Sequence, residues 1–250
     1  MQKMLRKREH DDLNELHDGT TSRSAAAMVD ILSERHMYAR YRTFFTEADT
    51  HRAWNLWTDI PWNESVASPP SEALIAAVER RYMDLIFLPD YSSRALDALR
   101  SSKGRAWFIT RWAYEESKHL LALQEWLIVR AGYTDTLCNT IWETEIDDNQ
   151  WVPPGTTPEA VLVDCLAWEC YEIEGLAELR DLAVTEGDII LIRLVDNLLR
   201  DDSAHMSFLT DAVKTIQACR PVEINAALIA VSATIPLPNV VARLKAAVMG

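Results

Sequence analysis

The sequence predicts an all-α fold, a bundle of four long antiparallel helices with one long crossover and further helices at both ends. Three observations point to it. Glycine is scarce, seven residues in 250, and Ala, Leu and Glu are plentiful, a bias toward helix over a turn-rich β fold. No run alternates apolar and polar residues as a half-buried strand would. Several long stretches instead repeat apolar residues at helical spacing, and a few of these carry charge in otherwise apolar company.

Residues 1 to 22 are polar and charged and read as a mobile arm, leaving 23 to 250 as a single domain. A helical pattern runs from about Ser24 to Phe45, with Met28, Ile31, Leu32, Met37 and Tyr38 apolar. A loop rich in Trp and Pro follows. In "SPPSEALIAAVERRY", Ser71 caps a second helix and Glu72 stands in its first turn. That helix is expected to run on through "MDLIFLPDYSSRALDAL", kinked at Pro89. A third spans roughly Ser102 to Ala131. A short helix is expected in "TDTLCNTIWETEIDDNQW", before the "VPPGTTPE" turn. The fourth runs from about Pro158 to Glu186. "EGD" breaks it, and a fifth covers Asp188 to Ala218. The tail reads as two shorter helices around Pro236 and Pro238.

The formal net charge of −13 speaks against a nucleic-acid binder, since phosphate binding needs a basic face. No stretch approaches ~18 uninterrupted apolar residues, so no membrane span is expected. The four cysteines form no CxxC pair, and the N-terminus has no apolar core of a secretory signal. Reduced thiols and a cytoplasmic location are the expectation.

Chemistry is concentrated in two stretches. "RWAYEESKHLLALQEWL" carries Glu115, Glu116 and His119; "LLRDDSAHMSFL" carries Asp201, Asp202 and His205. Residues three apart share a helix face, so Glu116 pairs with His119 and Asp202 with His205. A lone acid-x-x-His is common by chance. Two of them on bundle helices, with Glu169 between them in the apolar run "DCLAWECYEIEGL", are not. A buried carboxylate needs a compensating partner, and carboxylate with imidazole suits iron or manganese. Glu172 follows Glu169 on the same face. Trp112, one turn before Glu116, is expected to lie over the site. Glu115 is read as a neighbour facing another way.

These stretches resemble soluble acyl-carrier-protein desaturases. "RWAYEESKHLLALQEWL" is similar to their W-x-x-E-E-x-x-H segment, "RDDSAHMSFL" to their D-E-x-R-H segment and "AWECYEIEGLAELRDLA" to the segment with the capping Glu. The resemblance covers roughly residues 25 to 248. It implies a ferritin-like bundle that holds two iron ions and uses dioxygen as co-substrate. It also implies a ferredoxin-type electron donor, an acyl substrate on acyl carrier protein and a homodimer. Glu116, His119, Glu169, Asp202 and His205 match metal ligands, and Asp201 matches an acid that orients a ligand His. Arg80, Arg81, Arg111 and Lys118 are candidates for a basic patch that docks the carrier.

Three positions depart from that pattern. Leu85 stands where the family has its first-helix ligand Glu, with Asp84 adjacent. Asp202 replaces a Glu. Glu172 occupies a place that is small or hydroxyl-bearing in many desaturases, and either it or, with a shifted register, Asp84 is expected to replace the acid lost at Leu85. The altered set leaves open a desaturase, a hydroxylase or N-oxygenase of specialised metabolism, or a scaffold that has lost its metal.

Overall fold

The computed structural model describes residues 20–149 and 151–249. Among the described residues there are nine helices and no strand: α1 Thr20–Thr50, α2 Glu72–Leu85, α3 Leu88–Leu99, α4 Lys103–Ala131, α5 Asp135–Asp148, α6 Pro158–Glu186, α7 Ile189–Gln217, α8 Pro221–Thr234 and α9 Pro238–Met249. The arm expected over 1–22 lies outside the described residues up to 19; from Thr20 the chain is already in α1, which also outlasts its expected end at Phe45.

Local chemistry sets the boundaries. The Ser71 hydroxyl accepts from the Leu74 N–H at 3.1 Å, Thr134 from Leu137 at 3.1 Å, Thr157 from Ala160 at 3.2 Å, and the Asp188 carboxylate from Leu191 at 2.9 Å. Each satisfies a donor that the first helical turn leaves free. Gly132 and Gly187 end α4 and α6 at φ 75° and 70°, a left-handed conformation that glycine adopts without a Cβ penalty. Gly187 and Asp188 alone connect α6 to α7, so the two pack as an antiparallel pair.

At Pro89 the expectation needs correction. The chain does not kink there; it breaks into α2 and α3, with Ile86 and Phe87 between them. Pro89 has no N–H for the Leu85 carbonyl, and its ring would collide with that carbonyl. The Phe87 carbonyl accepts from Asp90 and Tyr91 instead and starts α3 afresh.

The core helices are α2 with α3, α4, α6 and α7. Helix α1 packs on α4 and α7, and α8 and α9 pack on α6 and α7. Two apolar clusters fill the interior. One holds Phe108, Ile109 and Trp112 of α4, Val161 to Ala167 of α6, Phe208 to Val213 of α7, and Leu88 to Leu99 of α3. The other holds Ala122 to Leu127, Leu176 to Ala183, Ile190 to Leu198, and Leu74 to Leu85 with Ile86. On α4, α6 and α7 the buried polar residues between the clusters are acids and histidines. The α2–α3 break falls between the same two clusters.

Candidate metal centre

The intervening layer consists of Glu115, Glu116, His119, Glu169, Glu172, Asp201, Asp202 and His205, all buried. Donor atoms of Glu116, Glu169, Asp202 and His205 lie within 4.8 Å of one another. The His205 Nδ1 is 3.2 Å from a Glu116 oxygen, 3.6 Å from Glu169 and 3.7 Å from Asp202. The His119 Nδ1 stands at the edge of this group, 3.6 Å from Glu116 and 3.5 Å from Asp202. The two imidazole centroids are 6.3 Å apart. The five residues matched to ligands by sequence are therefore brought to one place.

The next shell is nearly two-fold symmetric. Asp201 on α7 faces the Nε2 of His119 on α4 at 3.4 Å. Glu115 on α4 faces the Nε2 of His205 on α7 at 2.7 Å. In each acid pair the first acid orients the other helix's histidine, and the second acid turns inward. Glu115 is thus a positioning residue, not a neighbour facing away; its place before Glu116, mirroring Asp201 before Asp202, was the signal in the sequence. With each Nε2 directed at a carboxylate, the Nδ1 atoms face the centre. Arg52 joins the two outer acids, 2.9 Å from Asp201 and 3.6 Å from Glu115. The Trp54 indole donates to Asp201 at 2.7 Å, and Arg111 donates to Glu115 at 2.9 Å.

Trp112 does lie over the site: its indole N–H donates to Glu169 at 2.6 Å. Glu172 and Asp84 have a different partner. Arg81 is 3.3 Å from Glu172 and 2.7 Å from Asp84, and it also donates to the Tyr171 hydroxyl. A Cβ on Gly175 would stand 2.5 Å from the guanidinium, so α6 leaves room for it. Glu172 and Asp84 are accordingly absent from the convergent group, against the expectation that one of them makes up for Leu85. The basic patch also needs correction: Arg81 is 4% exposed, Arg111 holds Glu115 and Asp49, and Lys118 lies 3.5 Å from Asp201 and over the Trp54 ring. Only Arg80 of the four stands exposed without such a role.

The protonation pattern follows from this crowding. Burial works to raise Glu116, yet the two imidazoles hold it down at about 2. Burial pushes Glu169 upward, and burial with the Glu116 charge pushes Asp202 well above the usual carboxylate range. Burial disfavours imidazolium, but the acids around His119 bring it to about 10. Asp201 stays well below its ordinary value against its burial, held there by His119, Lys118 and Trp54.

The residues fit a divalent cation on one structural ground. A Glu116 oxygen, one Glu169 oxygen, both Asp202 oxygens and the His205 Nδ1 are fully buried and make no hydrogen bond among the described residues, although some of them lie within ion-pair distance of one another. Such atoms are costly in a protein interior unless something binds them. A metal would displace the protons that these groups otherwise share. Beside the centre lies a cavity of about 360 Å³, walled partly by Trp112 and lined mainly by apolar side chains. Among the described residues no helix is long and apolar enough to cross a membrane, and the four cysteines are free. Comparison with protein-family models, curated proteins and solved structures finds no match to the chain.

Proposed function

We propose that this chain is an oxygen-dependent diiron oxidoreductase acting on a substrate with an apolar body. The observation that carries the reading is the set of buried, convergent and unpartnered carboxylate and imidazole donors on α4, α6 and α7. His205 and Glu169 would hold one iron, His119 the other, with Glu116 and Asp202 shared. Bound iron supplies dioxygen activation. The four electrons that reduce dioxygen to water come as two from the substrate and two from a one-electron donor of the ferredoxin type.

The chain's own residues do the rest. Glu115 and Asp201 fix the imidazoles, and Arg52, Arg111, Lys118 and Trp54 keep those two acids charged. Trp112 orients Glu169 and separates the centre from the cavity. The apolar clusters above and below exclude water. A scaffold without metal is disfavoured by the same observation, since a core keeping these polar groups unpaired would be more stable without them.

Anaerobic titration with Fe2+, read by bound iron per chain and by absorbance after admitting air, tests the proposal. Two irons and a new near-ultraviolet absorption are expected. No retained iron would overturn it.

A further inference from the structure

The cavity beside the centre contains a feature that the metal chemistry does not use. Five aromatic side chains line it: Tyr91, Trp112, Trp151, Trp168 and Tyr171. The Tyr91 ring centroid is 4.5 Å from that of Trp151 and 4.7 Å from that of Trp168, and Trp168 is 5.9 Å from Tyr171. Asp164 lines the same cavity. It has no ion pair or hydrogen bond among the described residues, and the only influence on its acidity is burial, which pushes it up to about 7.

A carboxyl without a partner in an apolar pocket is unfavourable, and Asn or Ala would avoid the cost. Faces of Trp and Tyr attract cations. A carboxyl lining the same cavity as these rings is thus suited to one chemistry, a protonated nitrogen on an apolar body. The net charge of −13 favours entry of a cation over an anion. We propose that this cavity binds an amine, whose ammonium pairs with Asp164 among the aromatic faces while its apolar part extends toward Trp112. Its role as the substrate pocket rests on the oxidoreductase reading; the binding itself does not.

The test uses the full chain and an isosteric pair, 2-phenylethylamine and 2-phenylethanol, at pH 8. Calorimetry follows binding, with and without Fe2+. The wild type is expected to bind the amine at least about tenfold more tightly than the alcohol. Asp164→Asn is expected to abolish that preference and to leave iron binding unchanged. Trp151→Leu, at the half-buried side of the cavity, is expected to weaken the amine more than the alcohol, and it serves should the Asp164 variant fail to fold. Equal binding of both probes to the wild type, a preference that survives in Asp164→Asn, or no binding of either probe at millimolar concentration overturns the proposal. An amine preference in a protein that takes up no iron keeps the site and removes the oxidoreductase. Iron uptake without an amine preference does the reverse.

Discussion

The α6 and α2 flanks of the centre, packed on α7 and on α4 respectively, are built in opposite ways. On the α6 flank Glu169 is fully buried; Trp112 occupies one of its oxygens and the other is left without a partner. On the α2 flank Leu85 ends its helix inside an apolar cluster, and the same helix carries the buried cation of Arg81, already engaged by Glu172, Asp84 and Tyr171. Between them α4 and α7 contribute matched sets of acid, acid and histidine. On the proposed reading, two cation positions sharing Glu116 and Asp202 would therefore be unequal. The one near His205 would draw on the convergent group of Glu116, Glu169, Asp202 and His205; the one near His119 would lack an acid of its own.

The largest expected effect comes from making the flanks alike. Leu85→Glu places an unpaired carboxylate among apolar residues, which should lower stability by about 3–5 kcal/mol without metal. Urea unfolding with added Fe2+ should recover much of that loss if the new acid completes the second position. No recovery would mean that the α2 flank does not face the cations. The next effect separates the two positions directly. His205→Ala should reduce the affinity of the tighter iron by at least about 100-fold, while His119→Ala should affect mainly the weaker one. Equal losses in anaerobic Fe2+ titrations would abolish the distinction.

A finer comparison concerns the two outer acids. Asp201 carries Arg52, Trp54 and Lys118, and Glu115 carries Arg52 and Arg111. Asp201→Asn and Glu115→Gln should each weaken iron binding by about tenfold, the lower end for residues that orient a metal-binding histidine. The two losses should track different irons, Asp201 the one at His119 and Glu115 the one at His205. A shared loss would show that Arg52 ties the pair into one unit.

The helices and the convergence of acids and histidines were legible in the sequence because both depend on spacing. Acid-x-x-His at three residues apart puts two donors on one face, and Ser71, Gly132 and Gly187 act through their own backbone. What was illegible depends on contact across helices. Glu115 reads as outward because its neighbour Glu116 is inward, and one residue is ~100° of helix rotation; only the position of α7 shows that the adjacent face is also buried. Arg81, Arg111 and Lys118 look like solvated charges until the acids they meet are placed. Glu172 looks like a spare ligand until Arg81 is seen to pass Gly175 and reach it. In the sequence the Pro89 break reads as a kink because nothing local distinguishes the two.

The smallest expected effect contrasts two acids on α6 itself. Glu169 is buried where several donors converge; Asp164, five residues earlier, is partly buried where none do. Its carboxyl titrates at about 7 when folded and near ~3.9 when unfolded. Between those values the folded chain binds more protons than the unfolded one, so this group makes stability fall as pH rises, with the full penalty present above pH 7. Asp164→Asn removes the penalty. The gain should be small near pH 5 and reach about 1–2 kcal/mol at pH 8, allowing for the partial solvation of the cavity, or roughly 2–6 °C in melting temperature. Thermal unfolding of both proteins at the two pH values measures it. A gain independent of pH would assign the effect to packing and leave Asp164 without the strained carboxyl that sets it apart from Glu169. A gain that vanishes when 2-phenylethylamine is added to both would show that a cation relieves Asp164 as a metal would relieve Glu169.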